Sequence, residues 1–372
     1  MVLLPADQSR PHLDQLTGMR FFAAALVFFN HFGREAFLSW PHFFQELLTH
    51  GRSAVTFFFI LSGFVLAYSY LADTDNGVRS SRKKFYLNRF ARIYPIYFVA
   101  LMPALLNKSL SILRGDLDPD VLWDLPIAAS LMQAWVPQYA GVWNPPAWSL
   151  SVEAFFYFIF PFAALWLRNF SVKSVLCWVV AMCFAVACLR ITIQETNDPL
   201  GAFFPLLHLP TFLFGFAIGR LLRERSDLFR TGNLVFYVAS VSTFSAMGFG
   251  SSWLSRPVLA GVMELLFGLL IVGMIAMNGR WRAFLSHRLL VLLGEASYSL
   301  YITHMAAMVA AERLASKLGL WETPKESILF VLVGFAGCVA LSVMLFKWIE
   351  TPARKYILRK FSPQPSTFSE AT

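Results

Sequence analysis

Hydrophobic and polar positions segregate along this chain by whole segments, not residue by residue. Mostly apolar runs of about 15 to 25 residues recur between short polar or basic connections, and roughly 18 such residues suffice to cross a bilayer as a helix. The pattern predicts ten spans, at 16–33, 51–72, 93–107, 146–167, 172–191, 202–222, 233–250, 258–277, 291–315 and 327–348. The longest connection, 108–145, holds Asp116, Asp118, Asp120 and Asp124. The expected fold is all-α: a polytopic membrane protein of about ten transmembrane helices. One transmembrane domain is expected over 1–355, followed by a basic, then Ser/Thr-rich tail at 356–372 that is partly disordered. The first fifteen residues lack the basic-then-apolar order of a cleaved signal peptide and read as a polar arm.

Composition removes the soluble classes. Apolar residues make up 57% of the chain, charged residues only 14%, and phenylalanine alone occupies 38 positions. The solvent of most of this surface is therefore the lipid bilayer. A net charge of +9 would suit nucleic acid, but its placement argues otherwise. With the N-terminus in the cytoplasm, twenty of the 31 lysines and arginines fall on inner connections and the tail, against nine on the outer side. Cytoplasmic loops carry such an excess, so both termini are expected inside, in the cell membrane, with no nucleic-acid partner. Cys177, Cys183, Cys188 and Cys338 all lie in apolar runs without metal-ligand spacing. They read as small packing residues, and no metal is expected.

The chemistry lies in the residues that do not suit lipid. The first span, LTGMRFFAAALVFFNHFG, contains Arg20 and His31, eleven positions apart. At 100° per residue they share one helix face, separated by roughly 16 Å along the axis. Ionisable groups at such depth face a polar cavity or a partner. The blander alternative is a snorkelling arginine and an interhelical histidine bond. In the fourth span Asn144 is a candidate N-cap, and Ser149, Glu153 and Tyr157 share a face at i, i+4 and i+8. Opposite helix directions bring Glu153 and His31 to the same outer half, where a carboxylate can orient an imidazole base. In the ninth span Ser297, Tyr301 and His304 form a polar stripe beside Tyr298. Ser62, with Gly63, sits near the middle of the second span. The basic stretch GVRSSRKKFYLNRFAR places Arg89 and Arg92 three apart, a spacing that suits phosphate recognition or, more simply, anionic lipid and topology.

With these residues in view, the sequence resembles the acyltransferase-3 family of integral membrane O-acyltransferases over about 14–355. The resemblance rests on the Arg20–His31 spacing, TFFFILSGF at 56–64, RFARIYPIY at 89–97, PPAWSLSVEAFFYFIFP at 145–161, GEASYSLYITH at 294–304 and IETPAR at 349–354. It implies transfer of an acyl group, often acetyl, from cytoplasmic acyl-CoA to a hydroxyl of a sugar, glycolipid or secondary metabolite. By the same resemblance His31 is the catalytic base, Glu153 the family's glutamate, Arg20 an essential membrane arginine, and Arg89 with Arg92 the cofactor-side pair. Tyr301, Ser62 and Trp148 are candidates for oxyanion contacts. The alternative class is a non-catalytic transporter or flippase, which also needs intramembrane Arg, His and Glu.

Overall fold

The structure is a computed structural model that describes residues 12–71, 81–195, 200–229, 233–252, 254–320 and 326–361. The described residues are helical, with no β-strand among them. In chain order the helices are α1 (Asp14–Ala36), α2 (His42–Thr49), α3 (Gly51–Tyr70), α4 (Arg82–Leu113), α5 (Leu125–Ala129) and α6 (Trp148–Leu167). There follow α7 (Val172–Glu195), α8 (Leu200–Phe203), α9 (Leu209–Glu224), α10 (Asn233–Phe249) and α11 (Arg256–Ala276). The chain ends with α12 (Arg280–Leu285), α13 (Arg288–Glu295), α14 (Ser297–Lys317), α15 (Ile328–Leu345) and α16 (Thr351–Phe361). The polar arm through residue 11, Arg79, Arg230 and the tail beyond residue 361 lie outside the described residues.

Eight of the described helical segments are long and apolar enough to cross a membrane, so the protein is a multi-pass membrane protein. Helices α1 and α14, 23 and 21 residues long, are not among the eight. They match the lengths of the others but carry the polar residues, including Arg20 and His31 on α1 and Ser299, Thr303 and His304 on α14. On α1 the hydropathy is lowered by Arg20, Asn30 and His31, and on α14 chiefly by Glu312 and Arg313.

Close backbone approach organises the bundle. Helices α3 and α9 cross at Gly63, Gly215 and Gly219, where any Cβ would run into the facing backbone at Phe212, Ile60 or Phe64. Small residues permit this contact, which supplies packing where lipid offers no hydrophobic drive. Reciprocal glycines do the same between α1 and the end segment α12–α13: Gly18 lies against Leu285 and Gly294 against Thr17. Around α3 and α9 the core is aromatic, with Phe57, Phe64, Phe156, Phe160, Phe212 and Phe216 fully buried. Phe156 and Phe212 stack at 4.6 Å between α6 and α9. Phe184, Val241 and Phe244 on α7 and α10 point outward, as lipid-facing side chains do.

Three expectations are corrected. The basic stretch before the third span is not a connection: Ser81 accepts from the Lys84 backbone N–H and starts a 32-residue helix that includes Arg89 and Arg92. The ninth span is broken at Ala296, so α13 packs on α1 while α14 turns into the bundle. The last span continues past Leu345 through a π-helical turn, Phe346–Glu350, into α16, which occupies the first residues of the expected tail. The connection 108–145 is itself folded back onto the bundle. Tyr97 donates to Ala128 O at 2.6 Å, Gln133 to Ala147 O at 2.9 Å, and Trp143 to Asp124 at 2.7 Å.

Candidate active site

Two polar groups are built along α1, one at each end of the Arg20–His31 stripe. At Arg20 four elements converge. Arg20 lies within electrostatic reach of Arg92 on α4, Glu153 and Tyr157 on α6, and Glu350 in the π-helical turn. Glu153 accepts from Tyr157 OH at 2.5 Å and from Ser62 Oγ at 3.3 Å. Arg89 is buried, donates to Tyr70 OH at 2.7 Å, and lies over the rings of Tyr70, Tyr157 and Phe85 at 5.1, 5.4 and 5.8 Å. A guanidinium tolerates such a site because its planar face stacks on aromatic rings. Glu350 is buried, accepts from Ser299 at 2.8 Å, and faces Arg20, Arg92 and Arg354. This is a basic cluster balanced by two carboxylates, held by α1, α3, α4, α6 and the π-helical turn.

Next to Arg89 along α4, some buried polar atoms have no partner among the described residues. Asn88 is fully buried with neither amide atom hydrogen-bonded, and Arg89 Nε is likewise unmet. An unmade buried hydrogen bond typically costs about 1–3 kcal/mol, and native proteins leave few such atoms without a partner or an ordered water.

At the other end His31 and His304 meet, with His31 Nδ1 2.8 Å from His304 Nε2 and the rings 11° from parallel. His304 is buried among Phe28, Phe32 and Tyr301, and its Nδ1 lies 2.8 Å from the Tyr301 carbonyl. His31 is exposed at this point.

The geometry separates residues that the sequence joined. Glu153 makes its hydrogen bonds to Ser62 and Tyr157 and none to His31; the expected carboxylate–imidazole pair is replaced by an imidazole–imidazole pair. Tyr301 OH is shared with Ser149 at 2.7 Å and Pro146 O at 3.1 Å, an interhelical clamp between α14 and the start of α6. Tyr298 donates to Ile93 O at 2.8 Å, tying α14 to α4 beside Arg92. Asn144 does not cap its helix; its amide crosses to Ile302 O at 2.9 Å. Trp148 packs on His208 and Phe203, away from the imidazole pair. Sequence reasoning passed over Glu350, Arg354, Tyr70 and Ser299. The signal for the first was available, an acid closing an apolar run just before Pro352.

A second buried polar cluster stands apart from α1. Arg190 Nη1 lies 3.8 Å from Glu264, which accepts from Thr211 at 2.8 Å, while Arg190 Nη2 reaches Leu207 O and His208. It joins α7, α9 and α11, and Arg190 Nε in it is buried without a hydrogen-bond partner among the described residues.

No group of metal-binding residues occurs among the described residues. A polytopic bundle that sets a basic cluster and an imidazole pair along one helix offers a candidate membrane-embedded active site. A family model described as an acyltransferase domain matches residues 13–347, and the chain belongs to that family, acyltransferase-3. Acyltransferase MdmB of Streptomyces mycarofaciens is 29% identical over 95% of this chain and 96% of its own length. The exopolysaccharide production protein ExoZ of Rhizobium meliloti (strain 1021) is 26% identical over 80% of this chain and 90% of its own. A Staphylococcus aureus (strain COL) protein provisionally named an O-acetyltransferase is 22% identical over 87% of this chain, which spans 56% of that longer relative. No solved structure matches. The protein is an acyltransferase, and the transport alternative is set aside.

Proposed function

We propose that the protein moves an acyl group, acetyl in the simplest case, from cytoplasmic acyl-CoA to a hydroxyl of a sugar, glycolipid or secondary metabolite. The supporting observation is the arrangement along α1: a basic cluster at Arg20 and an imidazole pair at His31, roughly 16 Å apart on one helix. Arg89, Arg92 and Arg20 hold the CoA phosphates at the cytoplasmic end, where paired guanidinium donors suit them. The pantetheine arm then lies along the α1 stripe with its thioester near His31. His31 takes the proton from the acceptor hydroxyl as its oxygen attacks the thioester carbonyl. The tetrahedral intermediate collapses, the C–S bond breaks, and the proton passes from His31 to the departing CoA sulfur. Atoms and charge balance without a metal or redox partner.

The names of the relatives support this reading, since they describe acyltransferases and an exopolysaccharide protein. Removing a positioned general base typically costs on the order of 10²–10⁴ in rate. Mass spectrometry of surface glycans, lipids and small metabolites from cells carrying the wild type or His31→Ala tests it. An acyl mark present only with the wild type is expected. Identical profiles, with both proteins equally abundant in the membrane, overturn the assignment.

A further inference from the structure

Resting on the reading of His31 as base, we propose that His304 is a positioning residue that holds His31 in its Nδ1–H tautomer and so makes His31 Nε2 the basic atom. One partner, the Tyr301 carbonyl, has a fixed hydrogen-bonding role and sets the others in turn. A carbonyl oxygen only accepts, so the 2.8 Å contact to Tyr301 O puts the hydrogen of neutral His304 on Nδ1. Its Nε2 then carries a lone pair. That atom lies 2.8 Å from His31 Nδ1, so His31 donates there, and its own lone pair belongs to Nε2. The rings are 11° from parallel with centroids 5.1 Å apart, which lets the in-plane N–H and lone pair point at each other.

The resulting relay, His31 Nδ1–H to His304 Nε2 and His304 Nδ1–H to Tyr301 O, does for His31 what a carboxylate does in a hydrolase triad. It orients the ring and polarises Nδ1–H as positive charge develops on the imidazole. A neutral acceptor avoids placing an anion at this depth in the membrane. His304 is 1% exposed and enclosed by Phe28, Phe32 and Tyr301, so the acceptor is fixed by packing. The anionic candidate, Glu153, is engaged with Ser62 and Tyr157.

The test compares full-length wild type, His304→Leu, His304→Gln and His31→Ala in nanodiscs, reading CoA thiol release from acetyl-CoA. The glutamine oxygen reaches near the position of the ring Nε2 and accepts from His31; leucine fills the space without an acceptor. His304→Leu should lower kcat by about 10–100-fold, the usual cost of losing a residue that orients a reactive histidine, with KM changed less than about twofold. His304→Gln should recover most of that loss. Equal losses in both variants, or none, overturn the positioning role while leaving His31 as base. Full turnover by His31→Ala instead overturns the base reading. Where either His304 variant fails to fold, or the wild type does not turn over acetyl-CoA, solid-state NMR of 15N-histidine-labelled wild type decides. A protonated Nδ1 and bare Nε2 at neutral His31 support the relay, and the reverse tautomer refutes it.

Discussion

At the scale of single residues, a buried charge here is tolerated through specific geometry, and Arg89 is the sharpest case. Its guanidinium has three aromatic rings around it and one phenol oxygen at 2.7 Å. Lysine keeps the charge but loses both the planar face and the fork of donors. Arg89→Lys is therefore expected to weaken acetyl-CoA binding about tenfold, near 1.4 kcal/mol, as measured by calorimetry in nanodiscs. Unchanged affinity would return the residue to a purely topological role. The sequence flagged Arg89 and Arg92 by their spacing. It did not reveal that Arg89 is buried, because the rings that cover it come from three helices, α3, α4 and α6.

At the scale of elements, two devices set how the helices sit. The first is the glycine contact between α3 and α9. A leucine at Gly215 would place its side chain in the backbone at Ile60 and Phe64, so the helices must separate. Gly215→Leu should destabilise the protein by about 3 kcal/mol or prevent folding, read as a lowered midpoint of thermal unfolding in detergent. A surface glycine with open space around it, Gly337, is the control and should tolerate alanine. The second device is the Arg190–Glu264 pair linking α7 to α11. Removing one partner strands a buried charge, which typically costs about 3–5 kcal/mol, whereas an apolar pair of similar volume is often neutral. Arg190→Met alone should therefore lower the midpoint more than Arg190→Met with Glu264→Leu. An equal or larger loss in the double variant would mean that the pair contributes net stability.

At the scale of the whole molecule, orientation links the site to its substrates. If both termini are cytoplasmic, cysteines introduced at 82–84 should be shielded from an impermeant thiol reagent in intact cells, and those at 116–120 should be labelled. The first set opens α4, which runs from Arg82 to Leu113, and the second follows its far end. The reverse pattern would put the arginine cluster outside and remove cytoplasmic acyl-CoA as its ligand.

The order of residues alone was enough to give the class and much of the helical plan. A helix in lipid must satisfy its own backbone and be apolar for about 20 residues, and both requirements are local. It also singled out His31, Glu153, Arg20 and Arg92, because ionisable groups stand out in apolar runs. Their partners on other helices were set by how the bundle packs. Helical periodicity fixes which residues share a face of one helix, but not which faces meet, nor where a run such as 291–315 breaks. Hence Glu153 bonds Ser62 and Tyr157 while His31 meets His304, 273 positions away along the chain. Those pairings follow from which helices pack together, and that is something a span's own hydropathy does not encode.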